Sequence, residues 1–251
     1  MFIKIAKLVL LFGVICSFAI TAVQLSYAAD AVTQPKVIIT GISGEGDVQV
    51  LQAGTNSWIN AEENMVLHEG DLVLTGADSG ASIKYTDGAI VDLVKESRFN
   101  VAVLRDANNP NRQQNVLSIE SGYMHGLFEK ISSTEESKFT VKTPTAVCGV
   151  LGTKIYVDAD TGTVYVTEGV LSIVNTVTGE TVTVSAGNSI TINTNGSTTG
   201  AQPYSEAAIE SVANTFTVMD IDVLGYTAVP TDEGEIIIEF TPVTEQVASK
   251  I

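Results

Sequence analysis

The chain has 251 residues, with 29 Asp and Glu against 13 Lys and Arg and a formal net charge of −16. Such a surface repels phosphate backbones and anionic lipid, which sets aside nucleic acid and an anionic membrane surface as partners. The length suffices for one large domain, or for a domain with an appendage.

Residues 1–28 read as a signal peptide. Lys4 and Lys7 precede an apolar run over residues 8–23, and Ser26-Tyr27-Ala28 places small residues three and one before a cut ahead of Ala29. The run falls short of the roughly 20 residues of a spanning helix, so a membrane enters only if this segment stays uncleaved as an anchor. Gly13-Val14-Ile15 ahead of Cys16 is a poor lipobox. Cleavage leaves 223 residues (251 minus 28) and, with the two leader lysines gone, a net charge of −18. Cys148 is then the only cysteine, so no intramolecular disulfide forms. Its neighbours Ala146, Val147 and Val150 predict a buried, unreactive thiol.

From Val37 to Ile192 apolar residues alternate in short stretches. These are 48–51, 81–85, 90–93, 139–141, 154–157, 164–166, 171–174 and 182–184. A period of two in Val, Ile, Tyr and Thr is the strand signature. Turns separate the stretches at Asp87-Gly88, Thr161-Gly162, Thr178-Gly179, Ala186-Gly187 and Asn195-Gly196. Polar segments 106–114 and 129–138 read as exposed loops. The fold class expected is all-β: a short-strand sandwich or jelly roll, or a solenoid-like coil, with a short C-terminal helical appendage. The β-domain spans 29–195, and 196–251 hold a linker, a short helix and a late strand. The linker is 196–203. The helix starts at Ser205, a capping residue before an acidic first turn, and runs to about Asn214 with Ile209, Val212, Ala213 and Phe216 at helical spacing. The strand covers 235–241.

The residues that carry chemistry are sparse, so no catalytic, cofactor-binding or metal-ligating residue is assigned, no cofactor is expected and the chain reads as no enzyme. Only His68 and His125 exist, without a motif, and no Gly-x-Ser-x-Gly elbow or phosphate loop is present. Asp158-Ala159-Asp160-Thr161-Gly162 starts like a calcium loop, but the twelfth position is Gly169 where a bidentate Glu is required, so a hairpin turn is expected. Met219-Asp220-Ile221-Asp222 is weaker still. Trp58 and Tyr85 would suit a sugar-stacking or partner surface, although a lone Trp between Ser57 and Ile59 more often packs in a hairpin core.

One ordered set of residues names a family. Gly70-Asp71, Thr75-Gly76, Ser79, Ala81, Asp87-Gly88, Thr143-Pro144-Thr145-Ala146, Gly149, Gly152-Thr153 and Glu168-Gly169-Val170 follow one another at spacings that resemble the FecR-domain family. The resemblance extends from Gly46 to Ile190. Physically these are fold determinants: Gly76, Gly88 and Gly152 suit positive-φ turns, and Asp71 and Asp87 suit hydrogen bonds to their own turns. The resemblance implies the periplasmic part of a bacterial iron-dicitrate regulator or a stand-alone exported relative. In such regulators a cytoplasmic segment controls a sigma factor. At most seven residues precede the apolar run here, so that half is not expected. Leu151 stands where the family often has an Arg. The function implied is an exported, non-enzymatic domain, periplasmic or secreted, that binds a protein or an envelope glycan. The alternative is a sensory module acting with a separate membrane or sigma-factor-regulating partner. N-terminal sequencing of the exported protein is expected to read from Ala29; intact Met1 in the membrane fraction would favour the anchor instead.

Overall fold

The computed structural model describes residues 35–44, 47–106, 109, 111, 113–129 and 139–217, with the backbone of Tyr226–Pro230 and Ile236–Phe240. The leader with its cleavage site, loop residues 130–138 and Met219-Asp220-Ile221-Asp222 lie outside the described residues. The strands are β1 (Val37–Gly44), β2 (Val48–Leu51), β3 (Trp58–Asn60), β4 (Val66–Leu67), β5 (Leu72–Thr75), β6 (Ser79–Tyr85), β7 (Ala89–Val103), β8 (Asn115–Phe128), β9 (Phe139–Lys142), β10 (Ala146–Asp158), β11 (Thr163–Asn175), β12 (Thr181–Ser185), β13 (Asn188–Thr191) and β14 (Gln202–Pro203). One helix, α1 (Glu206–Thr217), follows, and then a hairpin of β15 (Tyr226–Pro230) and β16 (Ile236–Phe240). The chain is all-β with a short C-terminal helix.

Fourteen strands form a single sheet, and the sheet folds over on itself. Strands β7, β8, β10 and β11 are 13 to 15 residues long, where short strands were expected, and each takes part in both layers. Their ends nearer β1 join β1, β6, β13 and β14 in a first layer; their other ends join β3, β2, β5, β9 and β12 in a second. β9 lies between β8 and β10 in the second layer alone, parallel to β8 and antiparallel to β10; in the first layer β8 and β10 pair directly.

The fold line is written in the backbone. Each long strand carries one residue in the left-handed region there: Glu96, Gly122, Gly152 and Gly169. In β8 the core-facing residues are Leu117 and Ile119 before Gly122, but Met124 and Phe128 after it. In β10 they pass from Cys148 and Val150 to Ile155 and Val157, and in β11 from Val164 and Val166 to Leu171 and Ile173. Odd and even change places at each glycine, because one irregular residue reverses which face the side chains meet. In β7 the pairing advances four residues, Val94 to Arg98, while β8 advances two, Tyr123 to Ser121, so the parity survives.

Both layers face one apolar core. Tyr85 and Phe128 of the first layer meet Phe139 of the second, with ring centroids 5.6 and 5.4 Å apart. Tyr85 is fully buried, which removes it as a partner surface, while Trp58 lies exposed on the edge strand β3 and is not the hairpin core residue expected. On the outside of the second layer one row of neighbours runs Thr181, Val174, Val147, Lys142, Ser118, Asn100, Leu72, Leu51 and Trp58.

The turn residues divide. Gly88 and Gly152 have positive φ, of 105° and 61°, as expected. Gly76 does not; its N–H donates to Asp47 O and to Ser79 Oγ, at 2.9 and 2.7 Å, so a backbone clasp explains it better than a left-handed turn. Asp71 accepts from His68 N in its own turn and from Ala53 N across it, both at 2.8 Å. Asp87 instead accepts from Arg105 Nε and Asn115 Nδ2, at 3.2 and 2.7 Å, so its carboxylate ties the β6–β7 turn to the β7–β8 connection and the start of β8. At the fold line a Cβ on Gly122 would stand 2.5 Å from Ser97 Oγ and 2.6 Å from Ser97 Cα. Gly54 shares the positive φ, yet nothing lies within 4 Å. Gly54→Ala is expected to cost about 1 kcal/mol from φ alone, and Gly122→Ala about 2–4 kcal/mol once the clash is added. Urea unfolding of the two variants measures the difference; equal losses would show that the fold line tolerates a side chain.

Candidate functional site

The outside of the first layer carries a polar and aromatic row. Ser82, Asp92, His125, Tyr156, Tyr165 and Ser189 are cross-strand neighbours in that order, one each from β6, β7, β8, β10, β11 and β13. They are contiguous because strand registers align them; in sequence they span more than a hundred residues. Asp92 and His125 are buried, and His125 Nδ1 lies 3.1 Å from Asp92 Oδ2. Ser82 Oγ donates to Asp92 Oδ1 at 2.8 Å, so both carboxylate oxygens are engaged. The imidazole stacks on Tyr156 with centroids 4.5 Å apart.

Helix α1 closes this row. Ser205 caps it, its Oγ accepting from Ala208 N at 3.2 Å, with Glu206 favourable in the first turn. The helix begins where expected and runs three residues further, to Thr217. Its Val212 and Phe216 pack with Val94 in a second apolar cluster edged by Tyr123, Tyr156 and Tyr165. Phe216 meets His125 and Tyr156 edge-on, at 6.0 and 5.5 Å. The stripe of Val212 and Phe216 that the helical spacing marks is thus the face that docks.

Around the helix the row opens to solvent at Tyr123, Tyr165 and Tyr204, all partly exposed. Tyr165 and Tyr204 meet edge-on at 5.7 Å, and Lys95 Nζ stands 5.9 Å from the Tyr123 ring centroid. Burial raises the Tyr123 and Tyr165 hydroxyls above their ordinary range, and the Asp158 carboxylate adds to both. Burial, assisted by Asp92 and Tyr204, pushes Tyr156 up to about 12.

The chemistry is that of a packed surface. Ser82 donates to Asp92, so its hydroxyl is spent on the carboxylate that also faces His125. Asp158 Oδ1 accepts from Asp160 N and Thr161 N, and Asp160 Oδ1 accepts from Gly122 N. This segment is the β10–β11 turn, its carboxylates spent on backbone. Among the described residues no group of three His, Cys, Asp or Glu side chains is placed to hold a metal, and no helix is long and apolar enough to cross a membrane. His68 is exposed beside Asp71 and is not part of the row. Cys148 is fully buried, as its neighbours imply, and burial pushes its thiol up to about 12. Sequence spacing does not reveal the Asp92–His125 pair; only the β7–β8 register brings it together.

The two-layer β-fold thus presents a helix-covered aromatic face on its first layer. Residues 71–172 match the family model described as FecR protein, so the chain carries a FecR domain. The match begins just before β5 and ends within β11, and so holds five members of the row, Ser82, Asp92, His125, Tyr156 and Tyr165. Two solved structures, both of candidate anti-sigma factors from Parabacteroides distasonis ATCC 8503, are similar to the chain. The first is 15% identical, over 60% of this chain and 65% of its own, with a TM-score of 0.41. The second is 14% identical, over 78% and 69%, with a TM-score of 0.40. The chain thus spans about two thirds of their length. No curated protein matches.

Tyr156 gives this face a pH signature. Its hydroxyl titrates near 10 when unfolded and near 12 when folded. The folded state therefore keeps a proton that the unfolded state has lost, and the stabilisation present below pH 10 disappears as pH rises toward 12. Relative to wild type, Tyr156→Phe is expected to lose about 2–3 kcal/mol less stability across that window. Urea unfolding below and within it measures this; an unchanged pH dependence would place Tyr156 outside the packed face.

Proposed function

We propose that the chain is an exported regulatory module of the FecR type that recognises another protein in the bacterial envelope. The observation that carries this reading is the FecR match itself, which falls on the strands that build the helix-covered row. The leader read in residues 1–28 supports a periplasmic or secreted location. The acidic composition supports a soluble protein with a polypeptide partner rather than a nucleic acid. The non-enzymatic reading is supported by the family match and by the Asp92 carboxylate, both of whose oxygens are engaged by Ser82 and His125. The structural domain is proposed to extend beyond the family match to residues 29–195, because β1–β4 and β12–β13 complete the two layers.

Recognition is assigned to the rim of Tyr123, Tyr165 and Tyr204. Partly exposed tyrosines offer a large apolar contact at low entropic cost and a polar tip. Rings of this kind also stack on sugars, and an envelope glycan is the competing occupant. A photo-reactive residue in place of Tyr165, in the exported protein inside intact cells, separates the two. The expected result is a defined protein adduct, absent when the same group replaces Thr183 on the edge strand β12. A carbohydrate adduct would move the assignment to the glycan, and no adduct at Tyr165 would overturn the rim as the site.

A further inference from the structure

Among the described residues, the edge at β3 leaves backbone hydrogen-bonding groups open. There β3 ends its layer and pairs with β2 alone. Ala61 N donates to Val48 O at 2.8 Å. Main-chain groups alternate along an antiparallel strand, so those of Ile59 face β2 and those of Trp58 and Asn60 face outward. All three residues are exposed, Trp58 by 36% and Ile59 by 38%.

Natural sheets blunt such edges with lysine, proline or a bulge. The edge strand β14 carries Pro203, and β12 presents the hydroxyls of Thr181, Thr183 and Ser185. β3 is short, at three residues, but carries no lysine, proline or bulge. Instead it places Trp58 beside Leu51 on the outer face, and Ile59 beside the buried Val50 at the margin of the core. A strand added here would cover both side chains.

The sequence on either side of this strand carries charge of one sign. Between Lys36 and Lys84 the sequence has no Lys or Arg and seven Asp or Glu, with Glu62 and Glu63 directly after β3. We propose that β3 is a docking edge, which takes an extended segment bearing lysine or arginine from a partner protein as an additional strand. Main-chain hydrogen bonds would supply the affinity, and Trp58, Ile59 and the carboxylates the selectivity. The proposal rests on the reading of the chain as a protein-binding module and names a surface for it separate from the tyrosine rim.

Trp58 is the only tryptophan of the chain, so its emission reports on this edge directly. The probe is a short capped peptide of alternating valine and lysine, titrated into the exported protein. The expected result is a shift of Trp58 emission to shorter wavelength, with slowed hydrogen exchange at the Trp58 and Asn60 amides. A valine–glutamate peptide should bind at least about tenfold more weakly. Asn60→Pro removes an outward N–H that no ladder bond uses, so it should keep the fold and weaken binding by about tenfold or more. Ile59→Lys, at an exposed position, gives the same loss should the proline disturb β2. No binding of the valine–lysine peptide, binding without protection at Trp58 and Asn60, or equal binding of both peptides would each overturn the docking edge. If the Tyr165 cross-link still captures a protein, only the edge is lost and the FecR reading stands; if it captures none, that reading falls on its own test.

Discussion

The close approach of Ser97 to Gly122 is the constraint on which the rest of the molecule depends. A flat sheet of this many strands has no way to bury an apolar face on itself; it must fold over, and the strands that cross the fold must bend without losing register. Here β7 makes the bend with an extra pair of residues, and Ser97 fills the space that results. Its hydroxyl donates to Tyr123 O at 2.9 Å and accepts from Tyr123 N at 3.0 Å, and it also meets Val94 O. Its own N–H donates to Thr75 Oγ1 at 2.9 Å, and that hydroxyl donates to Val94 O at 3.0 Å. One serine and one threonine thus satisfy the main-chain groups that the irregular turn would leave unpaired in a buried place. Gly122 is required because Ser97 stands where a Cβ would be. The Gly152–Gly169 contact repeats the device between β10 and β11: a Cβ on Gly169 would lie 2.3 Å from Gly152 O.

Folding the sheet creates two outer faces, and the molecule treats them differently. The face of the first layer is covered by α1, whose Phe216 lies over a buried Asp–His pair. Removing one partner of such a buried pair leaves the other without its hydrogen bond, which is costly. Ser82, Asp92 and His125 are therefore best understood as a set that specifies one arrangement of β6, β7 and β8 beneath the helix. Stacking on Tyr156 extends that specification to β10, and the edge contact of Phe216 extends it to α1.

Much of this was legible in the sequence, and the reasons for success and failure are physical. Alternation in 81–85, 90–93 and 154–157 identifies strands because one face of each is buried. The helix is legible because Ser205, Glu206, Val212 and Phe216 satisfy capping and periodicity together. β8 is harder to read: the parity of its core positions reverses at Gly122, and Gly126 interrupts the apolar half, so period-two matching loses it. Strand lengths fail for the same reason. Residues 164–166 and 171–174 look like two strands because the pattern breaks at Gly169, whereas the backbone continues through the break. Trp58 and Tyr85 exchange their expected places because burial depends on position in the sheet: Trp58 is in its last strand, and Tyr85 faces Phe139 across the core. The row from Ser82 to Ser189 is illegible from sequence, since its members meet only through five strand registers.

The contrast between the two outer faces limits where recognition can occur. Among the described residues the second layer leaves its face open, but the row across it interleaves Thr181, Lys142, Ser118 and Asn100 with Val174, Val147, Leu72 and Leu51. A surface so divided is well solvated and lacks the continuous apolar patch that marks a large obligate interface. The first layer has the apolar material, but α1 already covers its centre. Contact area with an aromatic component and free polar groups is therefore left at the margins: the tyrosines around the helix on one face, and the unguarded strand end at Trp58 on the other. These margins lie on different layers, joined by strands that run through the fold line. A partner at one margin and a partner at the other would share β7 and β8, and the clasp of Ser97 and Gly122 is the point where those strands are held rigid between them.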